Sequence, residues 1–194
     1  MANHLKIAVL LTLLYTLLLG LAYPLCVTGI AHVIFPRQAN GSLIRVDGTT
    51  VGSALIGQQF TRPEYLHPRP SSAGKTGYDP TESGGSNLGP TSKGLISRTA
   101  GYVTRVLKEN PGLAKGSIPV DMVTSSASGL DPDISPANAY DQVPRIAAAR
   151  GLSQTLVREL ISKNITDREF GILGEQRVNV LKTNIELDKL TGKK

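Results

Sequence analysis

The chain has 194 residues, 40% of them hydrophobic, and Lys plus Arg outnumber Asp plus Glu by 21 to 15, a net charge of +6. From Ile7 to Phe35 there is no Asp, Glu, Lys or Arg, and the lone cysteine, Cys26, lies inside that stretch. This distribution excludes a multi-span membrane protein, a soluble cytosolic chain and a disulfide scaffold; with no Trp and six aromatics beyond residue 35, the remainder buries a modest core.

Residues 1–6 form a short tail carrying one lysine, Lys6. A bilayer core about 30 Å thick is crossed by about 20 apolar helical residues, and residues 7–35 exceed that length. Pro24 interrupts the run, removes a helical donor and predicts a kink. No small-x-small cleavage site follows the apolar core, and Leu25 rather than a small residue precedes Cys26. The segment is therefore expected to remain as a transmembrane anchor, not to be removed as a leader. Lys6 on one side and Arg37 and Arg45 on the other leave the positive-inside count undecided.

Residues 36–194 are expected to form one loop-rich α/β (α+β) extramembrane domain. Ten Gly and six Pro fall between Pro36 and Ile96, close to linker composition. Against a flexible stalk, two β-favouring runs flank Asp47-Gly48, which predicts a hairpin continuing through Val51 to Ile56. Gly52 and Gly57 read as close-approach or bulge positions. Beyond Phe60 an ordered but irregular loop is expected, with Tyr65, Leu66 and Tyr78 to bury.

Ile96, Ala100, Val103 and Leu107 share one face of a helix begun by Pro90 to Ser92 and ended by Pro111-Gly112. Ser135-Pro136 is a helix start, Ser as N-cap and Pro at the first turn. That helix is expected to run to Arg150, kinked at Pro144 and stopped by Gly151. Ser153 caps another, with Leu156, Val157, Leu160 and Ile161 as its stripe. Near the end, Val178, Leu181 and Ile185 suit a helix and Val178 with Val180 a strand; helix is the expectation.

Several motifs carry less than they suggest. Gly74-Lys75-Thr76 has the end of a phosphate-binding loop, but Arg69 stands where that motif needs its first Gly, and Pro-rich loop precedes it. The helices flanking Gly151 have helix-turn-helix spacing, and the basic balance suits nucleic acid. Arg145, Arg150, Arg158 and Lys163 are scattered, however, so a plain helical hairpin is the simpler reading. His4, His32 and His67 lie far apart with one Cys, which gives no metal-ligand cluster, and no nucleophile has an evident His partner.

Two stretches go further. Ser83-Gly-Gly-Ser-Asn-Leu-Gly-Pro-Thr91 and Val123-Thr-Ser-Ser-Ala-Ser-Gly-Leu-Asp-Pro-Asp-Ile-Ser-Pro136 resemble the signature segments of KdpC, the C subunits of the bacterial Kdp potassium-transporting ATPase. The resemblance extends nearly end to end, through the apolar span, Gly52 to Phe60, Arg69-Pro-Ser71, Arg145 to Gly151 and Gly174 to Leu181. Three positions depart from it: Pro144 stands in place of a better helix former, Gln176 in place of Pro, and Asp133 in place of a residue that is often His.

This resemblance implies a single-pass subunit of the bacterial inner membrane with its C-terminal domain outside the cytoplasm. Its partners would be a channel-like potassium-translocating subunit and a P-type ATPase subunit, besides the bilayer, with no nucleic acid. The subunit would be non-catalytic and without a cofactor of its own, ATP and K+ being handled by the complex. It would assemble or stabilise the complex and, as a catalytic chaperone, raise the ATP affinity of the ATPase subunit, with Gln142 as the nucleotide contact. A domain outside the cytoplasm cannot reach cytosolic ATP, so a structural, capping role is preferred. The signature loops supply the site residues: Ser83, Gly84, Gly85, Ser86 and Asn87 in one, Gly129, Asp131, Pro132 and Ser135 in the other. Their composition suits tight loops fixed by side-chain-to-backbone hydrogen bonds. Asn87, Asp121 and Asp131 also offer oxygen ligands to a hard cation. The alternative is a membrane-anchored helix-turn-helix DNA-binding regulator.

Overall fold

A computed structural model describes residues 2–192. It comprises two compact units divided between Val51 and Gly52, and has the architecture expected from the sequence: a long apolar N-terminal helix, then a mixed α/β domain with small antiparallel sheets.

In the first unit, α1 (Ala2–Leu17) passes through a π-helical turn (Leu18–Ala22) into α2 (Tyr23–Ile34). The three form one 33-residue apolar helix, the only one among the described residues long and apolar enough to cross a membrane. At 1.5 Å per residue it is about 50 Å long. Pro24 lies in the first turn of α2, directly after the π turn. The short α3 (Pro36–Ala39) leads into β1 (Leu43–Val46). The expected hairpin is present, though its second strand stops at Ser53 rather than continuing to Ile56: β1 pairs with β2 (Thr49–Ser53) through Asp47 and Gly48, both at positive φ, 49° and 80°. That is the turn geometry Asp-Gly favours between twisted strands.

In the second unit, residues 54–92 contain no helix or strand, yet Leu66, Pro70 and Ala73 are buried. There follow α4 (Lys93–Glu109), β3 (Asp133–Ile134), α5 (Pro136–Asp141), α6 (Val143–Arg150), α7 (Gln154–Lys163), β4 (Ile165–Thr166), β5 (Arg177–Asn179) and α8 (Val180–Leu190). The sheet has the order β3-β5-β4, all antiparallel, with Val178 opposite both Ile134 and Ile165. The main core joins Ile134, Val178 and Val180 to Val143, Ile146, Val157, Ile161, Leu187 and Leu66. A smaller cluster of Val106, Met122 and Val123 lies beneath Tyr102 and Val103.

Three local expectations change. The helix opened by Ser135-Pro136 is two helices, α5 and α6, meeting at Gln142. Pro144 therefore stands in a first turn, where its missing N–H would have had no intrahelical partner, and needs no kink. Gly151 does stop α6, at φ 65°. On α4, Val103 and Leu107 of the expected face are half-buried, while Ile96 and Ala100 are exposed and Leu95, Thr99, Tyr102 and Val106 complete the inward side. The inward side widens toward Tyr102 and Val106 because these, with Val103, pack against Met122 and Val123. Finally, residues 177–190 are a strand and then a helix. Val178 pairs in the sheet, and Asn179 caps α8 by accepting from the Lys182 N–H at 3.1 Å.

Candidate functional site

The two signature loops meet and are stitched together. Ser83 Oγ and the Gly84 N–H both donate to the Ser128 carbonyl, at 3.0 and 2.8 Å. Ser71 Oγ donates to the Gly129 carbonyl at 2.6 Å. Gly129 has φ 67°, and a Cβ there would lie 2.6 Å from the Gly84 oxygen and 2.7 Å from the Ala73 nitrogen. A Cβ on Gly85 would lie 3.0 Å from the Ala127 oxygen, whereas Gly84 has open space around it. Ser86 is half-buried; Asn87 is exposed at φ 52°.

The second loop is also tied to the sheet and the helices. Asp131 Oδ2 pairs with Arg69 Nη1 at 2.9 Å, and its Oδ1 accepts from the Asp133 N–H at 3.0 Å. Gly57 approaches closely, as expected: its N–H donates to the Leu130 carbonyl at 2.8 Å, and a Cβ would lie 2.5 Å from the Asp131 oxygen. The Pro132 carbonyl accepts from the Val180 N–H at 3.0 Å. Ser135 caps α5 as expected, accepting from the Asn138 N–H at 3.1 Å. Its own N–H and hydroxyl donate to Asp121, which also accepts from Asn138 Nδ2. Asp121 and Asp131 are thus engaged by donors within the chain. Among the described residues no group of three or more His, Cys, Asp or Glu is placed to hold a metal ion.

Gln142 is 1% exposed. Its Oε1 accepts from the His67 N–H at 2.8 Å and from Arg145 Nη2 at 2.5 Å. Its Nε2 donates to the His67 carbonyl at 3.1 Å and to Asn138 Oδ1 at 2.6 Å. The amide has two donors and two acceptor positions, and all four are filled. On α8, Asn184 treats Leu66 in the same way, accepting its N–H at 2.8 Å and donating to its carbonyl at 3.0 Å. Two consecutive loop residues, Leu66 and His67, are each held by a side-chain amide that substitutes for a strand neighbour.

Around this clamp lies a charged network the sequence did not disclose. Arg145 donates to the Pro63 and Tyr65 carbonyls and to Asn110 Oδ1. Burial pulls its guanidinium down to about 10, opposed by the charge of Glu109. His67 Nδ1 lies 3.2 Å from Glu109 Oε2, and this hydrogen bond holds the Glu109 carboxyl below its ordinary range. Arg150, its side chain fully buried, donates to the Glu64 and Leu187 carbonyls and pairs with Asp188 at 2.8 Å. Asp133 is pushed up, by burial first, although Asn179 donates to it and Arg177 stands 3.4 Å away. The signals for this network were the i, i+4 and i, i+3 spacings of Asn138, Gln142 and Arg145. They were hidden because Gln142 and Arg145 reach back about 75 positions or more into a loop without periodicity, and Asn138 reaches Asp121, 17 positions back.

The spaces nearby are small or open. The one touching Gln142 measures about 20 Å³, and a polar hollow between His67, Arg69, Tyr78 and Arg105 about 140 Å³. Small-molecule sites run to about 300–1,000 Å³. An open cleft of about 580 Å³ is lined by Arg69, Asp121, Asp131, Asp133 and Arg177. Gly74-Lys75-Thr76 lies within the irregular loop, and no helix follows until Lys93. With Arg145 and Arg150 turned inward, α6 and α7 lack a basic face built from those residues.

A family model described as "KdpC: K+-transporting ATPase, c chain" matches residues 5–189. The "Potassium-transporting ATPase KdpC subunit" of Acidobacterium capsulatum is 55% identical, over 97% of this chain and 99% of the relative. Those of Gemmatimonas aurantiaca and Caulobacter vibrioides are 52% and 54% identical, over 99% and 97% of this chain and 96% and 94% of theirs.

Proposed function

The chain belongs to the KdpC family of potassium-transporting ATPase c chains, and from that premise we propose that it is a non-catalytic, single-pass accessory subunit whose folded domain braces the transport complex from outside the cytoplasm. Its partners are the channel-like, potassium-translocating subunit and the P-type ATPase subunit, in a bacterial inner membrane; these handle K+ and ATP. The 33-residue apolar helix, without a buried residue, supports the anchoring role.

The observation that carries the bracing role is the filled hydrogen-bond set of Gln142, which is 1% exposed and borders a hollow of only about 20 Å³. A side chain so engaged fixes the loop at Leu66 and His67, and this supports a structural role for it over nucleotide contact. A helper effect on ATP affinity then acts through the assembled complex. Alkaline phosphatase fused after Lys194 is expected to be active. An inactive fusion, alongside an active cytoplasmic reporter at the same position, overturns the outer placement.

A further inference from the structure

Between β4 and β5 the chain forms a finger that buries nothing at its tip. Phe170, Ile172 and Leu173 are 91%, 76% and 58% exposed. Glu169 and Leu173 exchange both backbone hydrogen bonds at 2.9 Å, and the Glu169 carbonyl also accepts from the Ile172 N–H. The loop so closed places Phe170 at φ 54° and Gly171 at φ 77°. Glycine takes that conformation freely; a bulky L residue avoids it. An aromatic ring kept in water on a strained backbone does not serve the fold of its own domain.

The finger is pinned along its length. Gln176 Nε2 donates to Asp167 Oδ1 at 2.7 Å, Arg168 pairs with Glu175 at 2.6 Å, and Arg177 with Glu169 at 2.8 Å. Gln176, which departs from the family's usual Pro, thus supplies a cross-strand bond. A pre-ordered apolar tip loses little conformational freedom on binding.

Resting on the reading that the chain is a subunit of a transport complex, the geometry points to the finger as a docking element whose Phe170, Ile172 and Leu173 seat in an apolar pocket of a partner subunit. The charges favour protein over lipid. From Asp167 to Arg177 there are three acidic and two basic residues, and both arginines are paired within the finger. A membrane-surface element carries unpaired basic residues for anionic headgroups. Size argues against self-association. A buried Phe covers about 150–250 Å², and the tip falls short of the roughly 800 Å² per partner of a stable dimer. A subunit already confined to the complex by its anchor needs no more than such a local anchor point.

The test uses the whole complex, with benzoylphenylalanine in place of Phe170 or, as a control, of exposed Leu156. Irradiation is expected to join position 170 to a partner subunit, several-fold more than position 156. Phe170→Gly, which removes the ring and suits the backbone, is expected to leave the unfolding midpoint unchanged or raised. It lowers retention of the chain on captured partner subunits by about tenfold. Cross-links to lipid alone, to a second copy or to nothing, or unchanged retention of Phe170→Gly, overturn the docking role while leaving complex membership intact. Failure of the unmodified chain to co-purify with partner subunits instead overturns the reading beneath it, and the docking role with it.

Discussion

Gln142 holds His67 by both backbone groups, its amide oxygen 2.8 Å from the His67 nitrogen and its amide nitrogen 3.1 Å from the His67 oxygen. One side chain at the break between α5 and α6 thereby supplies what a neighbouring strand supplies in a sheet. Gln142→Ala strands the His67 N–H and carbonyl, Asn138 Oδ1 and one Arg145 hydrogen in a buried setting, at a cost of about 2–4 kcal/mol. The unfolding midpoint of the full chain in detergent is expected to drop accordingly. The ATP-concentration dependence of hydrolysis by complexes that remain assembled is expected to stay unchanged. A several-fold rise in the apparent ATP constant with an unaltered midpoint would sink the structural account of this residue.

The contact between the signature loops rests on two glycines with opposite demands. Gly129→Ala places a methyl group against the Gly84 oxygen and the Ala73 nitrogen at positive φ. The expected loss is about 2–5 kcal/mol, combining backbone strain with overpacking. Gly84→Ala meets nothing within 4 Å and is expected to stay within about 0.5 kcal/mol of the parent. Thermal unfolding of both variants checks the contrast; equal effects would mean that the loops do not meet as described.

Acid titration separates two carboxyls of opposite sign. Glu109 is depressed in the folded state by its hydrogen bond from His67. Its contribution is present above the ordinary value of 4.5 and lost as pH falls through the depressed one. Asp133 is raised by burial, so its contribution is present below the ordinary value of 3.8 and lost as pH rises through the raised one. Between about pH 3 and 6, Glu109→Gln is expected to flatten the acid-side fall in unfolding midpoint and Asp133→Asn to steepen it.

For the anchor, Leu14→Arg puts a charge well inside the apolar helix Ala2–Ile34, at a cost of about 2.5–3.5 kcal/mol in insertion. Membrane fractions are expected to lose the chain or retain it at reduced level. Undiminished insertion and co-purification would move the span elsewhere.

The sequence was most legible where a local rule suffices. Asp47-Gly48 needs only its turn type, Ser135 and Ser153 only a cap, and Gly151 only a left-handed stop, and each stands as expected. The apolar run and the close approach of Gly57 were equally readable. Less legible was any place where distant contacts outweigh local pattern. Gln142 stands between two helices, with Pro144 in the first turn of the second, and bonds both backbone groups of His67; no periodicity carries that pairing. Val178 satisfies a helical and a strand pattern alike; its pairing with Ile134 and Ile165 decides. Of the candidate site, the two loops were visible in composition. The clamp was not, because Leu66 and His67 lie in a segment expected to be ordered but irregular, where no periodicity says which side chains hold it.

The π turn at Leu18–Ala22 breaks the helical phase of the membrane segment. The Tyr23 N–H reaches back five residues to the Leu18 carbonyl, so the turn holds one residue more than an α-helical turn. Each residue advances the helix by about 100°, and the stripe presented by α1 is therefore offset on α2 by about that angle. A neighbouring helix lying along the whole span meets two unlike stripes, joined at one depth. Sliding by a single turn, about 5.4 Å, would carry the break one turn out of step with such a neighbour. For a helix packed along both halves, the irregularity would therefore mark one axial position as unlike every other.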